Sequence, residues 1–424
     1  MENYKSRIIE STISEKLRSK GAILIEGPKW CGKTTTGEYF AKSVLYMNHP
    51  KNKMTNLLLA DADPTALLEG EKPRLIDEWQ IAPSLWDTIR FEVDHNKMFG
   101  QFILTGSAVP FDQSQITHTG TGRFSWIKMR PMSLLESGES SGEVKLSDLF
   151  KSPEKIYAKN NLSLKDISFL ICRGGWPLAT YLTGKEALGQ AIDYYDAVVR
   201  SDISRVDNVK RNPELVMRLM RSYARNQGSQ VGIQTICEDI QTNDIDRISS
   251  ETIRDYIQAL KKIFVIEDAL AWNPNLRSKT AIRASDTRYF VDPSIASSAL
   301  GFGPEDLFKD FNTFGLMFET LAIRDLRVYA ESLGGTVYHY KDKSNLECDA
   351  VVHLRNGSYG LVEIKLGGEK LIEEGATSLK KLSKKINTDK MKAPSFMMVL
   401  TANTDVAYKR EDGVYVVPIG ILGV

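Results

Sequence analysis

Residues 27 to 34 read GPKWCGKT and match the G-x-x-x-x-G-K-[ST] pattern of a phosphate-binding loop. The glycines of such a loop let the backbone turn tightly, so that successive N–H groups and the start of the next helix point at phosphate oxygens. Lys33 would neutralise the β and γ oxygens, and Thr34 would offer its hydroxyl to Mg²⁺. We therefore predict a nucleoside triphosphate site, with ATP as the nucleotide, formed by Gly27, Pro28, Lys29, Trp30, Cys31, Gly32, Lys33, Thr34 and Thr35.

The elements that must position this loop are visible on both sides of it. Residues 22–26 (AILIE) form an apolar run typical of a buried parallel strand, and residues 33–43 (KTTTGEYFAKS) have the composition of a helix start. A strand, the loop and a helix, in that order, are the context that the motif requires.

The second half of the site is expected on another buried strand, at residues 74–79 (RLIDEW). Asp77 would hold Mg²⁺ through water, and Glu78 is placed to act as the general base that orients the attacking water toward the γ-phosphate. The alternative for this segment is an exposed acidic turn.

A third strand is indicated by residues 102–107 (FILTGS), which end in small hydroxyl residues where a γ-phosphate sensor would stand. Ser107 is the first choice for that sensor and Thr105 the second. Arg123 precedes the strand-like run SWIKM and would contact the γ-phosphate within its own subunit or across a subunit boundary. A surface arginine is the alternative.

Together with Tyr4, Arg7, LIDEWQIAPSLW and MRPMSLLESG, these segments resemble the AAA-type ATPases of bacteria and archaea that carry a C-terminal domain of uncharacterised function. The resemblance covers nearly the whole chain and is most specific at residues 27–35 and 129–138. It implies an ATP-binding and ATP-hydrolysing core and says little about the biological task, since members of the group have mostly been named from their sequences.

Composition narrows the class of protein. The chain has 424 residues, enough for two to three domains, and 55 Lys and Arg against 54 Asp and Glu, so that any basic surface must be local. Its four cysteines, Cys31, Cys172, Cys237 and Cys348, lack metal-ligand spacing and suit a reducing compartment without a zinc site. Without a signal-peptide pattern or an apolar window of about 18 residues, we expect a cytoplasmic protein with no membrane association.

The middle of the chain is predicted to be helical. The serine-rich loop at residues 137–143 is expected to be solvated and to close the core sheet, and Arg173-Gly174-Gly175-Trp176-Pro177 to form a sharp break. In the family that the chain resembles, a similar Gly-Gly-aromatic-Pro turn precedes a helical linker. Residues 200–225 carry seven Lys and Arg against three Asp and Glu. This basic stretch could lie on phosphates, or be a solvated face around an apolar stripe.

Residues 249–262 (SSETIRDYIQALKK) begin with a Ser/Glu capping signature, and a strand-like run follows at residues 264–270. Such a helix and strand resemble the recognition helix and wing of a winged-helix fold. Arg254, Lys261 and Lys262 would suit DNA, although Asp255 shares their face. Binding of a protein and use as a lid are the alternatives.

The last segment with chemical content is residues 336–366, three strand-like runs with a hairpin signal at Asn356-Gly357. Asp349 and the run Glu363-Ile364-Lys365 resemble the D…ExK pattern of the PD-(D/E)xK nuclease superfamily, and Glu319 takes the place of that superfamily's helical acid. The alternative is a pair of ordinary alternating strands with outward acids.

Hairpin register tests the nuclease interpretation. A two-residue loop of Asn356 and Gly357 sets Asp349 opposite Ile364, so that Asp349 and Glu363 leave opposite faces. A three-residue loop that adds Ser358 pairs Asp349 with Lys365, and the three functional groups share a face. Carboxylates gathered in this way would bind Mg²⁺ or Mn²⁺ through Glu319, Asp349 and Glu363, with Glu347 as another ligand, while Lys365 stabilises charge on a scissile phosphate.

These patterns predict an α/β protein with four parts: a P-loop AAA-type core with a parallel sheet (1–145), a helical linker or lid (146–230), a winged-helix-like unit (231–290) and a C-terminal α/β domain of restriction-endonuclease type (291–424). Three functions remain open. They are an ATPase that controls nucleic-acid cleavage, an ATP-dependent switch or scaffold that binds a protein partner, and a nucleotide-regulated DNA binder. DNA or RNA, a protein partner and a second copy of the chain are the expected partners besides ATP.

Overall fold

A computed structural model describes residues 4–108, 120–207, 209–241, 248–274 and 285–424. The chain divides into two compact units. The first consists of Met1–Pro131, Ser201–Lys210 and Ala259–Phe264, and the second of Met132–Arg200, Arg211–Gln258 and Val265–Val424.

The first unit is built around a five-stranded sheet with the order β2-β3-β4-β1-β5, in which every pairing is parallel. Its strands are β1 (Ala22–Glu26), β2 (Ser43–Tyr46), β3 (Arg74–Asp77), β4 (Phe102–Gly106) and β5 (Phe124–Lys128). Its helices are α1 (Glu10–Leu17), α2 (Lys33–Phe40), α3 (Lys53–Ala62), α4 (Leu85–Asn96) and the short α9 (Ile203–Arg205), with 3-10 turns at Pro64–Leu68 and Trp79–Ile81.

Register explains why the polar residues of this sheet come together. Strand β1 is buried between β4 and β5, as its apolar run predicts. Glu26 lies beside Gly106, and Asp77 beside Thr105. Because all the strands are parallel, the loops that follow β1, β3 and β4 leave from one edge of the sheet. The predicted strands and the helix after the loop are confirmed.

The second unit contains a seven-stranded mixed sheet, with the order β7-β12-β13-β11-β10-β9-β8, and a parallel pair of β14 with β6. Its strands are β6 (Val144–Lys145), β7 (Ala158–Lys159), β8 (Gly335–Lys341), β9 (Glu347–Leu354), β10 (Tyr359–Lys365), β11 (Phe396–Thr401), β12 (Val406–Lys409), β13 (Tyr415–Pro418) and β14 (Leu422–Gly423). The α/β class is therefore confirmed, with a parallel core sheet and a C-terminal mixed sheet.

Helices account for the rest of the second unit. They are α5 (Leu134–Ser137), α6 (Leu146–Leu149), α7 (Leu164–Arg173), α8 (Gly184–Ala197), α10 (Pro213–Arg225), α11 (Ile233–Ile240), α12 (Ser250–Lys262), α13 (Pro293–Leu300), α14 (Phe311–Ser332) and α15 (Glu369–Lys385). A π-helical turn at Val198–Asp202 and 3-10 turns at Pro177–Tyr181, Pro304–Lys309 and Ile419–Ile421 complete them. The end of α12, from Ala259, and the end of the π-helical turn, from Ser201, belong to the first unit.

A buried ionic hub ties the helices of the second unit together. The guanidinium of Arg324 bonds Asp292 at 2.9 Å and Asp325 at 2.7 Å, and all three side chains are at most 1% exposed. Asp292 also accepts the backbone N–H of Gly175, and Asp325 accepts that of Leu134. Every charge of the hub is therefore paired and hydrogen-bonded, which is the condition for burying ions in a protein.

Several expectations for the middle of the chain change in the structure. The loop at residues 137–143 is not fully solvated, because Ser137 and Ser140 are buried, and Ser140 donates to the carbonyl oxygen of Leu422. Strand β6, which follows that loop, pairs with β14 and does not extend the five-stranded sheet. The predicted break at residues 174–177 is confirmed by the end of α7 and a positive φ of 74° at Gly174.

The regions considered for nucleic acid are also partly described. On α10 the side chains of Val216, Leu219 and Met220 are buried, which favours the interpretation of residues 200–225 as a solvated face around an apolar stripe. Ser249 accepts the N–H of Thr252, as the capping signature predicts. The run at 264–270 forms only isolated bridges, Ile266 to Phe290 and Ala269 to Thr287, among the described residues. Residues 275–284, inside the proposed winged-helix unit, lie outside the described part.

Within the described ranges, no helix is long and apolar enough to span a bilayer.

Candidate functional site

The phosphate-binding loop runs from the end of β1 to the start of α2, as the motif requires. Its backbone needs glycine at two points. Gly32 has a φ of 98°, which side chains rarely adopt, and a side chain on Gly27 would overlap the carbonyl oxygen of Met129. Trp30 takes the left-handed conformation without being glycine, with a φ of 64°, and its side chain is exposed.

Two lysines of the loop have different partners. The ammonium of Lys33 is buried and donates to the carbonyl oxygen of Pro28 at 2.7 Å, so that it lies across the turn of the loop. Lys29 is partly exposed and forms a 2.6 Å ion pair with Asp202, in the segment Ser201–Lys210 of the same unit. Cys31 is fully buried, so it packs against its neighbours and is not an exposed thiol. Thr35, also expected at the nucleotide, is exposed at the start of α2.

Asp77 ends β3 and is bonded by hydroxyl groups from two neighbouring elements. Thr34 of α2 and Thr105 of β4 each donate to its Oδ1 atom at 2.7 Å. Thr105, the second choice for a phosphate sensor, thus contacts Asp77. A carboxylate and a hydroxyl are hard oxygen ligands of the kind that Mg²⁺ takes. Thr34 and Asp77 therefore fit the ion that the motif implies.

Glu78, the residue expected to act as the base, follows Asp77 in a left-handed conformation with a φ of 58°. Its carboxylate accepts the side-chain amide of Gln80, and the Ser107 hydroxyl at 3.3 Å. Ser107 leaves the end of β4, so the predicted sensor and the predicted base contact each other. A non-glycine residue with positive φ is uncommon and often marks a functional site.

Arg123 does not join this cluster within its own chain. It precedes β5, and its carbonyl oxygen accepts the N–H of Ala22 at the start of β1. The phosphate-binding loop follows the other end of β1, so the length of the strand separates the two. The guanidinium of Arg123 instead bonds Asp94 at 2.7 Å. The structure therefore offers no contact of Arg123 with its own loop, and a role across a subunit boundary stays a prediction.

In the C-terminal hairpin, the loop has three residues, but not the predicted three. Leu361 pairs with Val351, Val362 pairs with Ala350, and the backbone of Leu354 closes on Ser358, so the loop is residues 355–357. Continued by one position, this register places Asp349 opposite Glu363. The predicted pairing of Asp349 with Lys365 is wrong by two residues. A shift of two residues leaves side chains on the same face, so the expected shared face is present.

The side chains on that face form an ion-paired cluster. The ammonium of Lys365 lies 2.7 Å from Glu363 and 3.3 Å from Asp349. Asp349 also accepts the backbone N–H of Ile364 at 2.7 Å. From α14, Glu319 joins the cluster and accepts a hydrogen bond from the buried hydroxyl of Tyr289.

Burial decides the protonation of this cluster. It raises the pKa of Glu319 to about 8, and the charge of Asp349 adds to the shift. The same two causes raise the pKa of Glu363 to about 8. For Lys365, burial lowers the pKa, but the charges of Asp349 and Glu363 raise it more, so it stays protonated. At neutral pH the cluster therefore contains the Lys365 cation, and Glu319 and Glu363 retain protons that ordinary glutamates would have lost.

A metal ion does not fit the cluster as it stands. Among the described residues, no group of three acidic, histidine or cysteine side chains is arranged to hold one. The Lys365 ammonium already compensates Asp349 and Glu363, while Tyr289 holds Glu319. Glu347, the other ligand considered, pairs with Lys341. The acids do open onto a cleft of about 220 Å³, lined by Glu319, Asp349, Glu347, Tyr289, Gln230 and His339.

Sequence reasoning gave no role to three residues at these sites. Arg7 is buried and donates to the carbonyl oxygens of Cys31 at 2.7 Å and Arg130 at 2.8 Å, which anchors the phosphate-binding loop. Gln80 contacts the predicted base, and Tyr289 contacts the helical acid. For these three residues, the one signal in the sequence was the position of Gln80, two residues after the predicted base Glu78.

Comparisons with known proteins match three segments of the chain. Residues 19–137 match the family model of an AAA domain, and residues 164–306 and 314–422 match those of two domains of unknown function, DUF8612 and DUF4143. Uncharacterized proteins of Mycobacterium tuberculosis and Mycobacterium bovis are each 21% identical over 345 residues, covering 81% of this chain and 70% of theirs.

Two solved structures are also similar in part. A Walker-type ATPase of Pyrococcus abyssi is 14% identical, with a TM-score of 0.41, and the match covers 70% of this chain and 96% of that one. A RuvB variant of Thermotoga maritima is 12% identical, with a TM-score of 0.28, and covers 61% and 88%.

Proposed function

We propose that the AAA-type domain formed by residues 19–137 binds ATP with Mg²⁺ and hydrolyses it. The observation that carries this proposal is the meeting of the phosphate-binding loop with Asp77, Glu78 and Ser107 at one edge of the parallel sheet. The nucleotide's phosphates would lie on the loop N–H groups and the start of α2.

Each side chain has a defined task in this proposal. Lys33 would exchange its bond with Pro28 for the β and γ oxygens, and Thr34 and Asp77 would hold Mg²⁺. The ion would supply positive charge to the β and γ oxygens. Glu78 would accept a proton from the attacking water, and Ser107 would contact the γ-phosphate.

The test separates binding from turnover. Lys33→Ala should abolish tight ATP binding, since it removes the cation that faces the phosphates. Glu78→Gln should bind ATP as wild type does and lose hydrolysis by roughly a hundredfold or more, the scale of a general base. Gly189→Ala, in α8 with open space around it, serves as the control. Equal ATP affinity in wild type and Lys33→Ala would contradict the assignment of the loop.

We further propose that the nucleotide cycle controls the C-terminal domain, and that this domain acts on or binds nucleic acid. The support is the cluster of Lys365 with Asp349, Glu363 and Glu319 beside an open cleft. Asp349 and Glu319 line that cleft, and the ammonium of Lys365 lies 3.3 Å from Asp349, where its charge could stabilise a phosphate. Its double ion pair equally suits the alternative, an ATP-dependent scaffold whose C-terminal domain binds a protein partner without cutting.

A cleavage assay separates these candidates. Plasmid and single-stranded DNA would be incubated with and without ATP, and with Mg²⁺ or Mn²⁺, comparing wild type with Lys365→Ala. Cleavage by wild type alone supports a nuclease. Hydrolysis of ATP without cleavage supports the scaffold. Salt-dependent DNA binding that is lost with Arg254→Ala and Lys261→Ala supports the third alternative, a winged-helix DNA binder.

The remaining expectations belong to the same proposal. All four cysteines are buried and unpaired with one another, which suits the reducing cytoplasm. The division at residues 145, 230 and 290 is retained as a proposal beside the two compact units. A second copy of the chain would be the source of a γ-phosphate contact by Arg123.

A further inference from the structure

We propose that Gln80 is a positioning residue for ATP hydrolysis: its amide nitrogen holds the Glu78 carboxylate, and its amide oxygen receives a hydrogen of the attacking water. This inference rests on the proposed ATPase function and assigns a residue that neither the motif nor the family match specifies. It is carried by the contacts of Gln80 and by the orientation that they impose on its amide.

The first observation is the restraint on Glu78. The Gln80 amide donates to Oε2 of Glu78, while the Ser107 hydroxyl lies 3.3 Å from the same oxygen and 3.4 Å from Oε1. The backbone of Glu78 is in the left-handed region, a conformation that persists in a non-glycine residue only where surrounding contacts hold it. Gln80, in the same loop, and Ser107, at the end of β4, are those surroundings.

The second observation is the direction of the amide. The oxygen and nitrogen of a glutamine side chain are assigned from their partners, and here the partner is a carboxylate. The reverse orientation would set two acceptor oxygens against each other, so the nitrogen must face Glu78. The Oε1 atom of Gln80 therefore points away from the Glu78 carboxylate.

That oxygen is buried and has no hydrogen-bond partner among the residues that the structure describes. A buried acceptor without a partner costs about 1–3 kcal/mol, so such atoms usually serve a ligand or a water molecule. A side chain on Gly106 would approach it to 2.9 Å, and would approach Nε1 of Trp79 to 3.1 Å. Glycine at the end of β4 therefore keeps the space around the acceptor open.

The chemistry requires such an acceptor. In hydrolysis the water oxygen forms a bond to the γ-phosphorus, and the bond between that phosphorus and the β,γ-bridging oxygen breaks. One water proton passes to Glu78, and the other stays on the oxygen and becomes a hydroxyl of inorganic phosphate. A carboxylate alone fixes one hydrogen of the water. A second acceptor, Oε1 of Gln80, fixes the other, so that the oxygen lone pair faces phosphorus.

Two variants of Gln80 test the assignment by their effects on kcat and on ATP affinity. Gln80→Leu removes both contacts at similar size, and kcat should fall about 10- to 100-fold while Kd for ATP changes less than about threefold. Gln80→Glu keeps an acceptor but sets a second carboxylate against Glu78. The pair must then share a proton, which raises the apparent pKa of the base, so the acid limb of the kcat profile should move to higher pH.

Gln101→Leu is the matched control. Gln101 is a buried glutamine just before β4, at the opposite edge of the same sheet, and donates to the carbonyl oxygen of Met98 at 2.9 Å. Its loss should leave kcat within about twofold of wild type, since it is remote from the reacting atoms. ATP affinity and a melting curve establish that each variant is folded.

A double variant shows whether Gln80 acts through Glu78. Adding Gln80→Leu to Glu78→Gln should cause a clearly smaller further loss than Gln80→Leu causes in wild type, because one of its two roles, holding the base, is already gone. Unchanged kcat in Gln80→Leu, or full additivity in the double variant, would overturn the proposal while leaving the ATPase in place. Wild-type turnover no higher than that of Lys33→Ala would instead remove the ATPase function, and this inference with it.

Discussion

The substitution Glu319→Gln should remove about half of a pH-dependent loss of stability in the second unit. Glu319 is half-buried on α14, and burial raises its pKa to about 8 from an ordinary value of 4.5. A carboxyl with a raised pKa in the folded state stabilises the fold below its unfolded pKa and loses that contribution as pH rises through the folded pKa. From pH 5 to pH 8, this one group accounts for a loss of roughly 3–4 kcal/mol, as an upper limit.

The assay is urea unfolding followed by circular dichroism at pH 5 and pH 8, in buffer with a chelator. Wild type should be less stable at pH 8, and Glu319→Gln should lose markedly less over the same interval. Glutamine keeps an oxygen for the hydroxyl of Tyr289, so packing is conserved. Some dependence of stability on pH should remain in this variant, because the pKa of Glu363 is also raised to about 8.

The control is Glu331→Gln, a half-buried glutamate on the same helix, which should retain the wild-type pH dependence. If wild type and Glu319→Gln lose the same free energy of unfolding between pH 5 and pH 8, the reasoning is refuted. Replacing the chelator with Mn²⁺ at pH 8 adds a second comparison. Stabilisation of wild type, but not of Glu319→Gln, would show that the carboxylates can rearrange around a metal ion, against the ion-paired arrangement described above.

Three further outcomes are expected. Arg324→Met leaves two buried carboxylates without their cation and should destabilise the second unit by about 3–5 kcal/mol in urea unfolding, and a loss under about 1 kcal/mol would contradict the role of the hub. Asp202→Asn releases Lys29 and removes a negative charge near the phosphates, so ATP should bind about two- to fivefold more tightly by calorimetry, and weaker binding would contradict this. Gly27→Ala should weaken ATP binding more than tenfold through overlap with a backbone carbonyl, whereas Gly189→Ala should not.

The first unit could be predicted from sequence because its signals are local. The apolar run of β1, the glycines of the loop and Lys33 lie within 12 residues of one another, and their spacing determines the strand, the turn and the helix start. The proximity of Asp77 to Thr34 also follows, since the carboxyl ends of parallel strands share an edge. The order of the strands is harder to predict, because it does not follow the chain: β4 lies between β1 and β3.

What the sequence did not determine depends on contacts between distant residues. The Asn356-Gly357 signal located the hairpin but not its register, because the ladder closes one residue earlier, at Leu354 and Ser358. The partner of Arg123, Asp94 on α4, cannot be read from either segment. The sequence also did not show that the Lys365 ammonium lies between two acidic side chains, since the D…ExK spacing is the same whether or not the site binds a metal ion.

The pairing of β14 with β6 has a consequence for how the chain folds. Leu422 pairs with Val144, and β7 pairs with β12 through Ala158 and Ala407. Within the described residues, β6 and β7 therefore find their strand partners only after residues beyond 400 have been synthesised. Contacts that close such long loops form slowly, and their segments stay exposed in the meantime. During synthesis the five-stranded sheet can assemble first, whereas the second unit cannot complete its strand pairs before residues beyond 400 have been made.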